Sequence, residues 1–266
     1  MKIKNFLLIC LLVLLVSCTS CKNNDKKIVV GASPFPHASI LNECKEYVKS
    51  KGYELEVITY TDYITPNLAL ASGDIDANFF QHEPYLKNFN EKNNTDLVSV
   101  YRVHYEPLGL YAGKSHDLSN IKDGAVISIP NDHTNRARAL FLLQTLGLIT
   151  LDPEKQNLDV TKADIIDNPH HIDILEVEAM TITTLLKDVD FAVINGNYVE
   201  TFKVDPSLRI AQEDADSIAA KEYGNVIAVK KGNENLDKIK VLIEALSQES
   251  VKEFIRNTYK GTVIPY

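Results

Sequence analysis

The sequence contains no tryptophan and only two methionines among its 266 residues. Any aromatic enclosure must therefore come from its 12 tyrosines, 9 phenylalanines and 7 histidines. Cysteine is scarce too: there are four, at positions 10, 18, 21 and 44. Cys18 and Cys21 have the spacing of a zinc-binding pair, but no second pair accompanies them, so a structural zinc site is not indicated. Positive charge is in deficit, with 28 Lys and Arg against 36 Asp and Glu and a net charge of −8. That balance argues against nucleic acid as a partner and against electrostatic attraction to anionic lipid. The one long apolar run, residues 6–16, is shorter than the ~20 residues that span a bilayer. No Gly-x-Ser-x-Gly elbow, Walker loop or His-Glu-x-x-His pair occurs. These absences remove the best-marked hydrolase, nucleotidase and metalloprotease classes. The expectation is that the chain is not an enzyme and needs no cofactor.

What is present begins at the N-terminus. Lys2 and Lys4 precede the apolar run, and Leu15-Val16-Ser17-Cys18 closes it. A basic start, a short apolar middle and a small-residue cut site are the parts of a secretory signal peptide. A cysteine directly after Leu-Val-Ser resembles a bacterial lipobox, in which the thiol is acylated and Cys18 becomes the first residue of the mature chain. On this reading residues 1–17 are removed and residues 18–26 form a polar, lipidated tether. The protein is then held at the cell membrane by lipid, facing the periplasm or the outside. Each buried methylene adds ~0.8 kcal/mol, and stable anchoring takes two such signals. Cys21 lies in the tether and Cys44 in a helical pattern that faces a core; a bridge between them is left open.

The rest reads as two similar halves. In the first, a strand at 27–32 precedes Pro34 and Pro36. Ile40, Leu41, Cys44 and Val48 then follow at helical spacing. A strand at 54–60, a short helix at 67–71 and a strand at 75–80 complete it. In the second, a strand at 125–129 precedes Pro130, and a helix runs through Ala139, Leu140, Leu142, Leu143 and Leu146. A strand at 173–177, a short helix at 182–186 and a strand at 191–194 follow. Each half ends alike, at Asp74-Ile75-Asp76 and at Asp188-Val189-Asp190, turns just before a strand. Alternating strands and helices imply two α/β lobes with mainly parallel sheets. Ligands bind such sheets at the carboxyl ends of their strands. Residues 103–111 lie between the halves and read as a hinge strand. A further strand at 226–229 and two amphipathic helices close the chain.

The segments just after the strands are rich in polar and aromatic residues. Arg136 and Arg138 fall in the first turns of the helix after Pro130, where free N–H groups and a guanidinium suit a carboxylate. Either arginine can equally be a solvated helix residue. Phe80, His82 and Tyr85, with Tyr63, can enclose an apolar side chain, and thioethers gain ~0.3–1.5 kcal/mol against ring edges. Strand alternation sets Phe79 opposite Phe80, toward the core. Asn195 and Asn225 can accept from an ammonium group or donate to a carboxylate, or cap turns. A metal receptor drawing on His37, His82, His104 and His133 is an alternative, though no spacing enforces it.

Several segments, in order, are similar to one family. They include Thr61-Asp62-Tyr63, Gly73-Asp74-Ile75-Asp76-Ala77-Asn78, Phe80-Gln81-His82-Glu83-Pro84-Tyr85-Leu86, Ile129-Pro130-Asn131-Asp132 and Ala192-Val193-Ile194-Asn195-Gly196-Asn197-Tyr198. Together they resemble the methionine-binding lipoproteins, the NlpA or MetQ family. The resemblance implies a type II-like, two-lobed periplasmic-binding fold with ligand in the interlobe cleft. We expect residues 27–112 and 201–266 in one lobe and 113–200 in the other. It also implies a lipid anchor and delivery of L-methionine to an ABC importer, with its permease and ATPase as partners. By the same resemblance Tyr63, Phe80, His82 and Tyr85 form the side-chain pocket, Arg138 holds the carboxylate, and Asn195 and Asn225 hold the amino-acid backbone. The chain departs from the family pattern at His133, where proline is usual, and at Arg136. Both lie beside the expected carboxylate site, and relatives also take a methionine-containing dipeptide, so that ligand is an alternative.

Overall fold

The computed structural model describes residues 26–155, 158–214 and 222–266. The signal segment 1–17, Cys18, Cys21 and the tether up to residue 25 lie outside the described residues. The first lobe begins with β1 (Lys27–Ala32), α1 (Ser39–Glu43), α2 (Lys45–Ser50) and β2 (Glu54–Thr59). It continues through α3 (Thr65–Ser72), β3 (Ala77–His82), α4 (Glu83–Asn93) and β4 (Leu97–Tyr105). The second lobe holds β5 (Gly109–Ala112), β6 (Val126–Pro130), α5 (His133–Thr145), β7 (Thr150–Leu151) and β8 (Ile165–Asp167). Next come β9 (Asp173–Val177), β10 (Phe191–Ile194), α6 (Gly196–Phe202) and β11 (Arg209–Gln212). The chain then returns to the first lobe with β12 (Gly224–Lys230), α7 (Asp237–Leu246), α8 (Glu249–Tyr259) and β13 (Ile264–Pro265).

The two sheets share one plan. The first runs β13-β4-β12-β3-β1-β2 and the second β11-β5-β10-β6-β9. In the first, β1 pairs parallel with β2 and β3, and β12 enters antiparallel beside β3. In the second, β6 pairs parallel with β9 and β10, and β5 enters antiparallel beside β10. Each sheet thus receives one strand from across the hinge. The parallel strands are apolar through most of their length, as strands covered on both faces must be. The paired Asp turns do equivalent work in both lobes. Asp76 Oδ2 accepts the N–H of Val29 on β1 at 2.8 Å. Asp190 Oδ2 accepts that of Val126 on β6 at 2.9 Å.

The lobe boundaries differ from those expected at 112 and 201. Gly109–Ala112 pairs with β10, and Arg209–Gln212 pairs with Gly109–Ala112, so both segments belong to the second sheet. The crossing points are residues 106–108 and the segment after Gln212. Residues 103–111 read as one hinge strand, but they belong to two strands in different sheets, joined at Glu106-Pro107-Leu108. Proline has no N–H for a ladder, which favours the break there.

Each lobe has its own core. Ile28, Val30, Phe79, Ile227, Ile239 and Leu242 pack in the first, and Leu110, Ile127, Ile129, Leu140, Phe191 and Val193 in the second. Burying each such side chain is worth ~1.5–3 kcal/mol. Cys44 is a free, buried cysteine in the first core. Phe79 is fully buried there, on the opposite side of β3 from Phe80.

Candidate functional site

Five parallel strands end toward the gap between the lobes. After β1 comes the turn carrying Ser33 and His37, and after β2 the loop with Thr61 and Tyr63. β3 ends on His82, β6 leads into α5, and β10 leads through Asn195 into α6. These ends surround a cavity with about 350 Å³ of free space, the solvent at its mouth included. Tyr63, Phe80, His82, Tyr85, Arg138, Asn195 and Asn225, the residues expected from sequence, all line it. Glu106 from the hinge and Asn135 from α5 line it too, as do Gln81, Gly196 and Asn197. Sequence reasoning assigns none of these five a role.

One wall is aromatic. The Tyr63 ring lies 5.9 Å from that of Phe80 and 5.7 Å from that of Tyr85, centroid to centroid. Phe80 and Tyr85 meet edge to face at 6.2 Å. The hydroxyls are turned to protein partners: Tyr63 donates to Asn197 Oδ1 at 2.6 Å and Tyr85 to the Tyr63 carbonyl at 3.1 Å. Burial pushes both phenols well above their ordinary pKa, so they stay neutral. The wall therefore presents apolar ring faces and edges.

The facing wall is polar and ordered. His82 caps α4: its Nδ1 accepts the Tyr85 N–H at 3.1 Å, which places the ring hydrogen on Nε2. That Nε2 donates to Asn135 Oδ1 at 3.1 Å, from one lobe to the other. Asn195 Nδ2 donates to the same oxygen at 3.0 Å. Asn195 Oδ1 and Asn197 Nδ2 are buried and have no hydrogen-bond partner. A buried acceptor and a buried donor left over at one cavity are what a zwitterion would satisfy.

Arg138 is buried at 4% exposure and held from behind. Its Nε donates to Glu213 Oε1 at 2.7 Å, and its Nη2 to Glu213 Oε2 at 2.5 Å and to the Glu106 carbonyl at 2.7 Å. The Tyr223 ring covers its guanidinium carbon at 4.6 Å. Burial works against the charge, but the Glu213 carboxylate prevails and raises the pKa above its ordinary value. From sequence, helix-start N–H groups are expected beside this arginine. In the structure the Asp132 side chain caps α5 by accepting the Asn135 N–H at 3.0 Å, and Arg138 stands further along the helix.

The model of the NlpA lipoprotein family matches residues 28–266. The chain belongs to the NlpA lipoprotein family. The methionine-binding lipoprotein MetQ of Bacillus subtilis is 39% identical over 249 residues, covering 92% of this chain and 89% of that protein. The structure of a nutrient-binding protein from Burkholderia cenocepacia, bound to methionine, superposes with a TM-score of 0.84 at 36% identity, covering 90% of this chain and 99% of that one. An ABC-transporter periplasmic substrate-binding protein from Coxiella burnetii superposes with a TM-score of 0.83, also at 36% identity, covering 90% of this chain and 100% of that one. No helix among the described residues is long and apolar enough to cross a membrane.

Two features of this NlpA-family chain that were expected beside the carboxylate site stand apart from the cavity. His133 pairs with Asp159 at 3.2 Å, and Arg136 reaches Glu176 at 3.7 Å. Neither lines the cavity. Of the four histidines weighed for a metal, only His37 and His104 come together, with Glu106. His104 Nε2 lies 2.8 Å from Glu106 Oε1, whereas its Nδ1 is buried without a partner. A metal on Nε2 would leave a buried Nδ1–H with no acceptor. With the hydrogen on Nε2, only a bare lone pair is unmet, which costs less.

Proposed function

We propose that the chain is a lipid-anchored extracytoplasmic receptor that captures L-methionine between its lobes and delivers it to an ABC importer. The observation that carries this reading is the pairing, around one cavity, of an aromatic wall with a polar wall that includes a buried arginine and two unmatched amides. An apolar thioether fits the first wall and a zwitterionic head the second. Tyr63, Phe80, His82 and Tyr85 enclose the side chain. The carboxylate meets Arg138 on the Nη1 edge, since Glu213 and the Glu106 carbonyl take the donors of Nε and Nη2. Asn195 and Asn225 address the amino-acid backbone. The methionine bound to the Burkholderia cenocepacia protein and the name of the Bacillus subtilis relative support the ligand. The similarity to the ABC-transporter substrate-binding protein of Coxiella burnetii supports the importer as destination.

Ligand capture works by population shift. Direct bonds join the lobes around the cavity: Tyr63 to Asn197, His82 to Asn135, and Tyr198 Oη to the Thr61 carbonyl at 3.1 Å. A ligand touching both walls adds contacts that exist only when the lobes are together, so it stabilises that state. The closed form then docks on the importer, whose permease is powered by its ATPase, while the lipid on Cys18 keeps the receptor at the membrane.

Because tryptophan is absent, calorimetry is the direct test. Purified protein titrated with L-methionine should give a saturable single-site isotherm, and its melting temperature should rise with ligand as mass action requires. Native mass spectrometry of freshly purified protein should show a bound species of methionine mass. Absence of heat and of thermal shift with L-methionine, together with binding of another solute, would overturn the assignment.

A further inference from the structure

Behind the aromatic wall, three amides close a ring. Asn67 on α3 and Asn78 and Gln81 on β3 are buried, the first two completely and Gln81 at 3% exposure. Asn67 Nδ2 donates to Gln81 Oε1, and Gln81 Nε2 donates back to Asn67 Oδ1, both at 2.8 Å. Asn78 Nδ2 donates to the same Asn67 oxygen at 2.8 Å and to the Pro66 carbonyl at 3.1 Å. Gln81 Nε2 also donates to Asn78 Oδ1 at 2.9 Å. Every nitrogen and oxygen of the three side chains takes part. Apolar side chains of the same shape could fill this space with no bond left unmet. What a fully matched amide network adds is direction, since each bond holds only over a narrow range of distance and angle.

The ring spans an irregularity in the first sheet. Against β12, Gln81 pairs with Val226, and Phe79 pairs with the next residue, Ile227. Phe80 is therefore the extra residue of a β-bulge. On an unbroken strand Asn78 and Gln81 would point to opposite faces. Here both reach Asn67, as the extra residue between them allows. Bulges bend a strand locally and re-aim a side chain. The side chain at this bulge is Phe80, which lines the cavity. The other end of the ring governs Tyr63. Asp62 Oδ1 accepts the N–H groups of Ile64 and Thr65 at 2.8 and 2.7 Å, so the turn carrying Tyr63 is fastened to the start of α3. Asn67 stands in the first turn of that helix. The amide pair of Asn67 and Gln81 thus ties together the two segments whose rings, Tyr63 and Phe80, lie 5.9 Å apart.

We propose that Asn67, Asn78 and Gln81 are positioning residues: their amide ring pins the bulge at Phe80 and the turn at Tyr63, and so sets the shape of the slot that takes the ligand's side chain. This rests on the amino-acid reading of the same cavity. Both side-chain N–H groups of Gln81 are spent inside the network. Gln81 therefore borders the cavity without presenting a side-chain donor to the slot, which stays apolar.

The test is Asn67→Leu, a change at a residue that does not itself line the cavity. L-Methionine binding is measured by calorimetry at pH 7, and L-alanine, whose side chain stops short of the wall, by displacement of methionine. In the variant the preference for methionine over alanine should shrink about 10-fold, the upper scale of one thioether–ring contact. Alanine affinity should stay within about 2-fold, because its contacts lie on the polar wall. If the variant keeps the full preference, the inference is overturned and the amino-acid reading stands. Equal losses for the two ligands also overturn it, since the amides then support the fold and not the slot. If the intact protein does not bind methionine, the amino-acid reading itself fails and the inference falls with it. Should Asn67→Leu not fold, proton NMR of the intact, ligand-free protein decides. Slow solvent exchange of the Asn67, Asn78 and Gln81 side-chain amides, together with a through-space contact between the Tyr63 and Phe80 rings, supports the inference. Exchange as fast as that of an exposed amide, or rings that meet only once methionine is added, overturns it.

Discussion

Arg138 and Glu213, 75 residues apart in sequence, form a two-point ion pair, with Nε–Oε1 at 2.7 Å and Nη2–Oε2 at 2.5 Å. Glu213 also accepts the Tyr105 hydroxyl at 2.6 Å and the Leu108 N–H at 2.9 Å. The carboxylate is therefore fully occupied, and it sets the plane of the guanidinium. A ligand acid meets a cation already oriented and does not have to recruit a mobile one. That is preorganisation, which lowers the entropy cost of binding.

Glu213→Gln tests this. The amide keeps the shape but loses the charge and one acceptor oxygen. We expect methionine affinity to fall about 10-fold to 100-fold, in line with ~1.5–3 kcal/mol for a hydrogen bond to a charged group, read by calorimetry. Arg138→Ala should abolish binding and also lower unfolding free energy by ~3–5 kcal/mol, because it strands a buried carboxylate. Arg138→Lys should rescue stability better than binding, since an ammonium cannot make the two-point pair. Methionine affinity unchanged in Arg138→Ala would remove this residue from the site.

Stability should fall as pH drops below neutral. Burial holds His37 at about 4 and His82 and His104 at about 3, against an ordinary 6.5. Between 6.5 and those values the unfolded chain binds protons that the folded chain refuses, so unfolding is favoured as pH decreases. Each such group adds a slope of ~1.4 kcal/mol per pH unit in that window. Glu106 opposes them, since burial raises its pKa and the folded state then holds its proton more tightly. Glu200, raised by burial, and His171, raised by its bond to Asp123, act in the same direction as Glu106, and the three large histidine shifts outweigh them. Urea unfolding at pH 7, 6 and 5 should show falling stability, with a smaller slope in His82→Asn. Greater stability at pH 5 than at pH 7 would contradict it.

The fold is largely legible in the sequence because its signals are local. Apolar runs such as Phe191–Ile194 and helix stops such as Gly73, at φ 89°, mark elements within a few residues. Sheet membership is not local. Nothing near Gly109–Ala112 or Arg209–Gln212 says which lobe they join, so the boundaries expected there are misplaced. The aromatic wall is readable as a cluster at 80–85. Glu106 leaves one signal: with His104 it alternates at spacing two along an extended segment, which places both polar side chains on one face. Glu213 leaves none, because its partners at 105, 108 and 138 come together only in the tertiary structure.

The aromatic wall carries its own expectation. Phe80 is buried at 4% exposure between Tyr63 and Tyr85. Phe80→Ala removes ring contacts and opens space beside the ligand's thioether. Large-to-small changes of this kind cost ~3–5 kcal/mol in a core, and the loss here divides between stability and binding. Methionine affinity should drop by more than about 10-fold, whereas the weaker binding of alanine, which cannot reach the wall, should hardly change. Equal losses for the two ligands in calorimetry would mean that the wall supports the fold and does not touch the side chain.

Tyr63→Phe isolates the lobe-to-lobe bond. The Tyr63 hydroxyl donates to Asn197 Oδ1 at 2.6 Å, and Asn197 Nδ2 already lacks a partner. Removing the hydroxyl leaves both ends of that amide unmet while keeping the ring in the wall. The open form can hydrate the amide and the closed form cannot, so the change weighs on closure. A typical bond of this type is worth ~0.5–1.5 kcal/mol, and the stranded acceptor adds ~1–3 kcal/mol. Affinity for methionine should fall about 10-fold or more, with little change in unfolding of the ligand-free protein. Small-angle scattering should show a larger radius of gyration without ligand and the normal one at saturation. An unchanged affinity would mean that the lobes close without this bond, and that the ligand alone holds them together.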